Sequence, residues 1–528
     1  MPRRLRKMEN VMDHQRRLKK GAGEWIGWLL VALVAGSLLW FSTQDGIGLV
    51  SDSYFYLGGA DGLRSGQGFA RPAAFDIWKP ITHFPPLYSC LLFLTNLIIP
   101  SPLLATRWLQ IMIYAGNSSL FGWLIYRGTS SAWVGWVCAL VAMFSPTLLN
   151  LHAAVLSEGL FFFFCLLFLW QLVLYISNHN RWNLLLLGFI SGGAVLTRYA
   201  GVILIPVGLI ALLVYAEGAW KKRIGAAMMF LVTGGLLPLV WYLRNLLVTG
   251  TGSNRVLAWH PFSSLTIFQA ADQMRFWFIP VDIPGRLEIA LSGVAVLLVL
   301  WRCVFVIIQV LLSRPRERTR RDVLVTAASF SFIAYAGLLL VSMVFLDAAI
   351  ELNERLMAPG YIFLLLIVLN SVGSWLVDEG RPGYIRLISG VAIAILLSIT
   401  IVRGLATVDN LSHSPYAIDG WRESPAVQFV ADLDGDTLIF SNEIDALYLL
   451  TGHTAALIPV YRDPVNLELQ TNYEEQIIEM RARIQEENGY LVLFSTLQGQ
   501  PHFPPEETLT EGLQPLAGMG VDSVFVAP

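Results

Sequence analysis

Long apolar runs separated by short polar connections fill most of the chain, and the pattern changes once, after residue 402. A helix needs about 20 apolar residues to cross a bilayer. Runs of that kind at 25–41, 103–126, 132–149, 159–176, 184–199, 201–216, 224–247, 287–312, 323–346, 356–377 and 387–402 predict about eleven spanning helices. A further run, 87–99, is too short to cross and lies between Pro85-Pro86 and Pro100, which predicts a re-entrant or interfacial helix. After residue 402 the pattern predicts strands at 437–441, 455–458, 490–495 and 521–526 and a charged helix at 472–487. The expected fold class is an all-α polytopic membrane protein with a small C-terminal α/β soluble domain. Its expected parts are a basic N-terminus (1–24), a membrane domain (25–404) with large loops at 42–86 and 248–286, and the α/β domain (405–528).

Composition sharpens this division. The 528 residues are 55% hydrophobic and only 14% charged, against about 25% charged in soluble domains, so a water-soluble fold is excluded. The net charge of -2 averages two unlike parts and points to no nucleic-acid partner. Where the basic residues fall is more informative. If 87–99 does not span, then Arg3, Arg4, Arg6, Lys7, Arg16, Arg17, Lys19, Lys20, Arg127, Arg181, Lys221, Lys222, Arg223, the arginine-rich loop 314–321, Arg381 and Arg386 all share one side. The positive-inside rule makes that side cytoplasmic, in a multi-pass plasma-membrane protein whose C-terminal domain is extracytoplasmic. The first run lacks a small-residue cleavage site and is expected to remain as a helix. Three of the four cysteines lie in predicted spans, so no disulfide or metal framework follows. Phosphate-binding loops, dinucleotide fingerprints and zincin motifs are absent from the sequence.

Ionisable residues at membrane depth are costly and mark candidate chemistry. Two acids reach the outer side, Asp52 just after the first span and Glu158 where the fourth begins. Each also has a structural reading: Asp52 as a helix cap, and Glu158 as a charge favoured by the helix dipole with Ser157 as its cap. Converging carboxylates suit proton removal from a hydroxyl nucleophile or the holding of a cation against a phosphate. Basic residues share that side: Lys79, His83, Arg198, Arg244, Arg255, Arg275 and Arg355. Arginine suits phosphate through its bidentate fork, while Arg355 also reads as a snorkelling anchor paired to Glu354. The aromatics Tyr54, Tyr56, Trp78, Tyr88 and Trp259 fit interface belts or sugar stacking.

The set Asp52 with Tyr54 and Tyr56, Gly66-Gln67-Gly68-Phe69, His83-Phe84-Pro85-Pro86-Leu87-Tyr88, Glu158, Thr197-Arg198-Tyr199, Trp241-Tyr242-Leu243-Arg244-Asn245 and Glu354-Arg355 runs through most of the chain. It is joined by Phe440-Ser441-Asn442-Glu443 and Leu450-Thr451-Gly452-His453 in the C-terminal part. In this order the residues resemble the GT-C superfamily of membrane glycosyltransferases, in the lipid-carrier-dependent branch of protein O-mannosyltransferases and the lipid A aminoarabinose transferase, glycosyltransferase family 39-like. The resemblance implies an inverting transfer of a sugar from a polyprenyl-phosphate carrier to an acceptor hydroxyl on a glycan, lipid or protein. It implies Asp52 as the catalytic carboxylate, Glu158 as the second loop acid supporting acceptor or cation, and Arg355 near the lipid phosphate. Lys79, His83, Arg198 and Arg244 are the remaining candidates for substrate or lipid-phosphate binding. Two departures stand out: Ser53 follows Asp52 where a paired acid would hold a metal, and Phe84 precedes Pro-Pro where some relatives have lysine. No residue is therefore named as a metal ligand, and a divalent cation stays open as cofactor. The rival reading is a lipid or sugar transporter or flippase. It fits less well, because transporters gather polar groups at the midplane between internal repeats.

Overall fold

The computed structural model describes residues 3–74, 77–216, 218–252, 259, 264–279, 286–312, 319–346, 352–413, 423–462, 469–499, 502–516 and 521–528. Arg255 and residues 314–318 of the basic loop lie outside the described residues. The chain begins with α1 (Arg3–Ser42), α2 (Ser51–Arg64), the hairpin β1 (Ala70–Ala73) and β2 (Ile77–Pro80), and α3 (Leu87–Asn96). The bundle continues through α4 (Pro102–Thr129), α5 (Ala132–Met143), α6 (Pro146–His152), α7 (Glu158–Asn178), α8 (Arg181–Thr197), a 3-10 turn (Tyr199–Ile203), α9 (Leu204–Tyr215) and α10 (Trp220–Thr249). It closes with α11 (Ser264–Phe276), α12 (Arg286–Leu312), α13 (Arg320–Phe345), α14 (Glu354–Val377) and α15 (Gly383–His413).

Among the described residues, seven helices are long and apolar enough to cross a membrane, and α5 with α6, bent by 64°, makes an eighth if the pair is one span. The remaining three expected spans correspond to α4, α8 and the 3-10 turn with α9. Helix α4 is long but carries Arg107, Gln110, Asn117 and Arg127, which dilute its hydropathy. The other two are short because Arg198 adopts an extended backbone (φ -148, ψ 136) and divides one apolar stretch into two. The 87–99 run forms the ten-residue α3, too short to span. Helices α7 and α14 are buried along most of their length, whereas α10, α12 and α15 face mostly outward from the bundle.

The C-terminal part contains α16 (Pro425–Ala431), β3 (Ile439–Ser441), α17 (Ile444–Thr451), β4 (Ala456–Leu457), α18 (Tyr473–Glu486), β5 (Tyr490–Leu493), α19 (Glu506–Thr510), β6 (Gln514–Pro515) and β7 (Ser523–Val526). Its five strands run in the order β4-β3-β5-β7-β6. β3 is parallel to β4 and β5, and β7 is antiparallel to β5 and β6. All four predicted strands and the predicted helix are present. Strand β6 was not expected, because two residues that include a proline give no alternation to read. Ile477, Met480 and Ile484 of α18, spaced three and four residues apart on one helix face, bury against Leu491, Leu493 and Phe525 of the sheet.

Candidate active site at the start of three helices

Two backbone pairings bring the acids together. Gly48 accepts from the Val155 N–H at 2.9 Å and donates its own N–H to Ala153 at 2.8 Å, a parallel bridge that sets the starts of α2 and α7 side by side. Ser53 strengthens the junction by donating to the Val155 carbonyl at 3.1 Å while accepting from the Val50 N–H at 3.0 Å. Tyr56, one turn further along α2, hydrogen-bonds Ser157 at 2.7 Å. Beneath this junction Ile47, Leu49, Tyr56, Leu57, Tyr88 and Val155 form an apolar cluster that also packs against Leu449 and Leu450 of α17.

The charges then interlock. The Arg355 guanidinium, at the first turn of α14, donates from Nε to Glu158 and from Nη2 to Asp52. Arg198 pairs with the same Glu158 oxygen at 2.7 Å and reaches Ser157 Oγ at 3.3 Å. Glu158 is fully buried, and its second oxygen, Oε2, is buried without a hydrogen-bond partner among the described residues. Asp52 retains 25% and Arg355 33% of side-chain exposure, so this edge of the array is open to a reactant. Asp52 is not the cap of α2; Val50 occupies that position. Nor does Arg355 pair with Glu354, which instead accepts from Thr147. Burial raises the Tyr56 hydroxyl well above the ordinary tyrosine range, with the Arg198 charge pulling the other way, so Tyr56 stays protonated.

Lys79, His83 and Arg244 lie outside this array. Lys79 is exposed on β2, in register with Arg71 of β1. His83 packs edge-on against Phe55 at 4.5 Å and beside Phe84 at 4.6 Å, with Phe55 one helical turn from Asp52. Arg244 donates to the carbonyls of Ile81 at 2.8 Å and Phe69 at 2.9 Å, pinning both ends of the hairpin to α10. The paired glycines before that hairpin have a backbone cause: Gly66 and Gly68 sit at φ +75 and +74, a region that side chains disfavour. Tyr199 donates to Thr82 at 2.6 Å and accepts from Trp241 at 3.0 Å, so the Thr197-Arg198-Tyr199 and Trp241 to Asn245 motifs meet over the same loop. Arg275 is engaged with Asp272 at 2.7 Å on its own helix.

Three participants have no part in the candidate site as the sequence reads. Tyr56 reads there as a belt aromatic and Ser157 as a cap. Arg71, in a proline-containing strand, gives no signal at all; it donates to Tyr54 at 2.6 Å and lies over the Tyr54 and Phe55 rings. Tyr54 also meets Tyr448 of α17 edge-on at 5.1 Å, and Tyr448 donates to Asp61 of α2. The C-terminal domain is thus joined directly to the helix that carries Asp52. Beside Arg355, Tyr335 donates to the Leu356 carbonyl at 2.5 Å and, with Met357, walls an apolar cavity of about 210 Å³ between α11, α12, α13 and α14. Among the described residues no three His, Cys, Asp or Glu side chains form a metal-binding group.

No protein-family model and no curated protein matches the sequence. Solved structures do match the fold. ArnT from Cupriavidus metallidurans, solved bound to undecaprenyl phosphate, superposes with a TM-score of 0.51 at 12% identity, covering 94% of this chain and 98% of that one. The archaeal oligosaccharyltransferase AglB from Archaeoglobus fulgidus, solved with an inhibitory peptide and a dolichol-phosphate, gives 0.54 at 12% identity over 91% of this chain and 70% of that one. The arabinofuranosyltransferase AftD from Mycobacteria gives 0.50 at 14% identity over 94% of this chain and 41% of that one. The shared architecture, together with the apolar helices, gives this chain the GT-C fold of these solved structures, that of a polytopic membrane protein.

Proposed function

We propose that the chain is a membrane glycosyltransferase that moves a sugar from a polyprenyl-phosphate carrier to an acceptor hydroxyl, with inversion at the anomeric carbon. The observation that carries this reading is the array in which Arg355 joins Asp52 to Glu158 beside an apolar cavity. Asp52, on the open edge, takes the acceptor's hydroxyl proton as the acceptor oxygen attacks the anomeric carbon; the bond from that carbon to the phosphate oxygen breaks, and polyprenyl phosphate leaves. Arg355 commits two of its five N–H donors to the acids, and its remaining fork receives the phosphate. Arg198 and Glu158 hold it there. The apolar cavity takes the first isoprene units of the carrier. The relatives solved with undecaprenyl phosphate and with a dolichol-phosphate support a lipid donor.

The array then faces outward, with residues 1–24 cytoplasmic and the domain 405–528 extracytoplasmic, and a lipid-linked donor brings across a sugar that a cytoplasmic nucleotide sugar does not. Purified protein in nanodiscs, supplied with acceptor extract and either a polyprenyl-phosphate sugar or a nucleotide sugar, tests this. Transfer from the lipid donor with release of polyprenyl phosphate, strongly reduced in Arg355→Ala, is the expected result. Transfer from the nucleotide sugar alone overturns it, and lipid movement without transfer favours the flippase reading.

A further inference from the structure

At the other end of the bundle a second cavity, of about 520 Å³, opens between the last turn of α4, the first turn of α13 and the last turn of α14. From Arg355 to Val377 on α14 the distance is about 33 Å at about 1.5 Å per residue, close to the thickness of a hydrocarbon core. The two sites therefore lie at opposite membrane surfaces.

Three arginines line this cavity: Arg127, Arg320 and Arg321. Arg127 is held by cation–π contacts, its guanidinium 5.2 Å from the Trp170 ring and 5.7 Å from the Trp123 ring, which orient the charge without neutralising it. The nearby carboxylates act on these arginines through space, Asp322 and Asp378 on Arg321 and Glu24 on Arg127, while their hydrogen bonds go to other groups: Glu24 accepts from the Tyr126 hydroxyl at 3.1 Å. Asp322 accepts from the Thr319 N–H at 2.8 Å and hydroxyl at 2.9 Å, closing the cap of α13. Asp378, on the cavity wall, pairs with Arg381 at 3.3 Å. Among the described residues no ion pair within 4.0 Å joins any of the three arginines to a carboxylate. Like charges brought together at a membrane interface repel, and an anion entering between them removes that repulsion and meets planar N–H forks matched to phosphate oxygens. Ser130 lies on the same wall. The volume is within the range of small-ligand pockets, about 300–1,000 Å³.

We propose that this cavity binds a phosphate-bearing anion at the membrane surface opposite the acid–arginine array, with Arg127, Arg320 and Arg321 as its ligands. The phosphate belongs to a phospholipid headgroup or is free in solution, and two arms of one experiment separate these sources. Full-length protein is placed in phosphatidylcholine nanodiscs with increasing phosphatidylglycerol, or in pure phosphatidylcholine nanodiscs with increasing inorganic phosphate, and its thermal midpoint is followed. The midpoint is expected to rise in one arm or both: in the lipid arm alone for a headgroup, in the phosphate arm for a free anion. In the double variant Arg320→Gln/Arg321→Gln the half-saturating concentration should increase about a hundredfold, about tenfold for each charge-assisted hydrogen bond removed. The midpoint in plain phosphatidylcholine reports that the variant is folded. Arg127→Gln, on a different helix, should shift saturation about tenfold and keeps the test valid if the double variant does not fold. No rise in either arm, or a rise of equal sensitivity in Arg127→Gln and in the wild type, overturns the proposal.

Discussion

At its first turn α14 presents Arg355 to two carboxylates, while beside its last turn Arg127, Arg320 and Arg321 share a cavity with no carboxylate paired to them among the described residues. The same side chain has opposite surroundings at the two ends. In the acid–arginine array each charge fixes the position of the next, and Arg355 holds Asp52 in place; the proposed transfer would use this as electrostatic preorganisation. At the far end the three arginines share the cavity with Asp378 but form no direct ion pair with a carboxylate among the described residues, which is the arrangement that the proposed anion site uses. The difference lies in the partners of the arginines and not in their number.

The contrast between the two ends is most exposed to disproof at Asp52. Asp52→Asn keeps the shape and an acceptor for Arg355 but removes the proposed base, and turnover with a lipid-linked donor should fall about a hundredfold to ten-thousandfold. Turnover equal to the wild type would leave the array with a structural role alone. Glu158→Ala attacks the buried centre. It strips Arg198 and Arg355 of their shared partner, and removing one member of a buried pair costs about 3–5 kcal/mol. Because Arg198 keeps 20% of its side-chain exposure, the lower part of that range is expected in a denaturation experiment; a loss under about 1 kcal/mol would mean that the pairing is as weak as a surface bridge. The smallest effect is sought at the far end, where Ser130→Asp adds a second carboxylate to a cavity already lined by Asp378. Ser130 already has a left-handed backbone, φ 59, which Asp tolerates. Half-saturation by phosphatidylglycerol or phosphate should rise about tenfold, the effect of one added carboxylate beside the bound anion, and an unchanged curve would show that the anion enters elsewhere.

Hydropathy made the bundle legible, since each predicted span corresponds to a helix or a helix pair, and alternation revealed four of the five strands in the C-terminal sheet. The hairpin Ala70 to Pro80 was not legible, because Pro72 and Pro80 remove the strand signature and its register depends on contact with α2. There Gly62 matters: a Cβ on it would collide with the Ala70 carbonyl oxygen. Asp52, Glu158, Arg198 and Arg355 were visible as charges at span ends. Their mutual pairing was not, because Arg355 and Asp52 are 303 residues apart and only tertiary packing sets which helix start faces which. For the same reason Arg244 read as a free cation, although the carbonyls of Ile81 and Phe69 take its donors.

The order of the array along the chain has a consequence for biosynthesis. At about 5–20 residues per second, Arg355 is made about 10–40 s after Glu158, 197 residues earlier. Glu158 would cross that interval as a lone carboxylate in the bilayer were it not for Arg198, which ends the very next helix and pairs with it. Arg198 is thus the counter-ion available to the half-made protein, and Arg355 is the late arrival that links the neutralised acid to Asp52. A nascent chain that stops before α14 has both members of the Glu158–Arg198 pair but lacks the arginine that links them to Asp52, so the complete array exists only once nearly all of the helical bundle has been made.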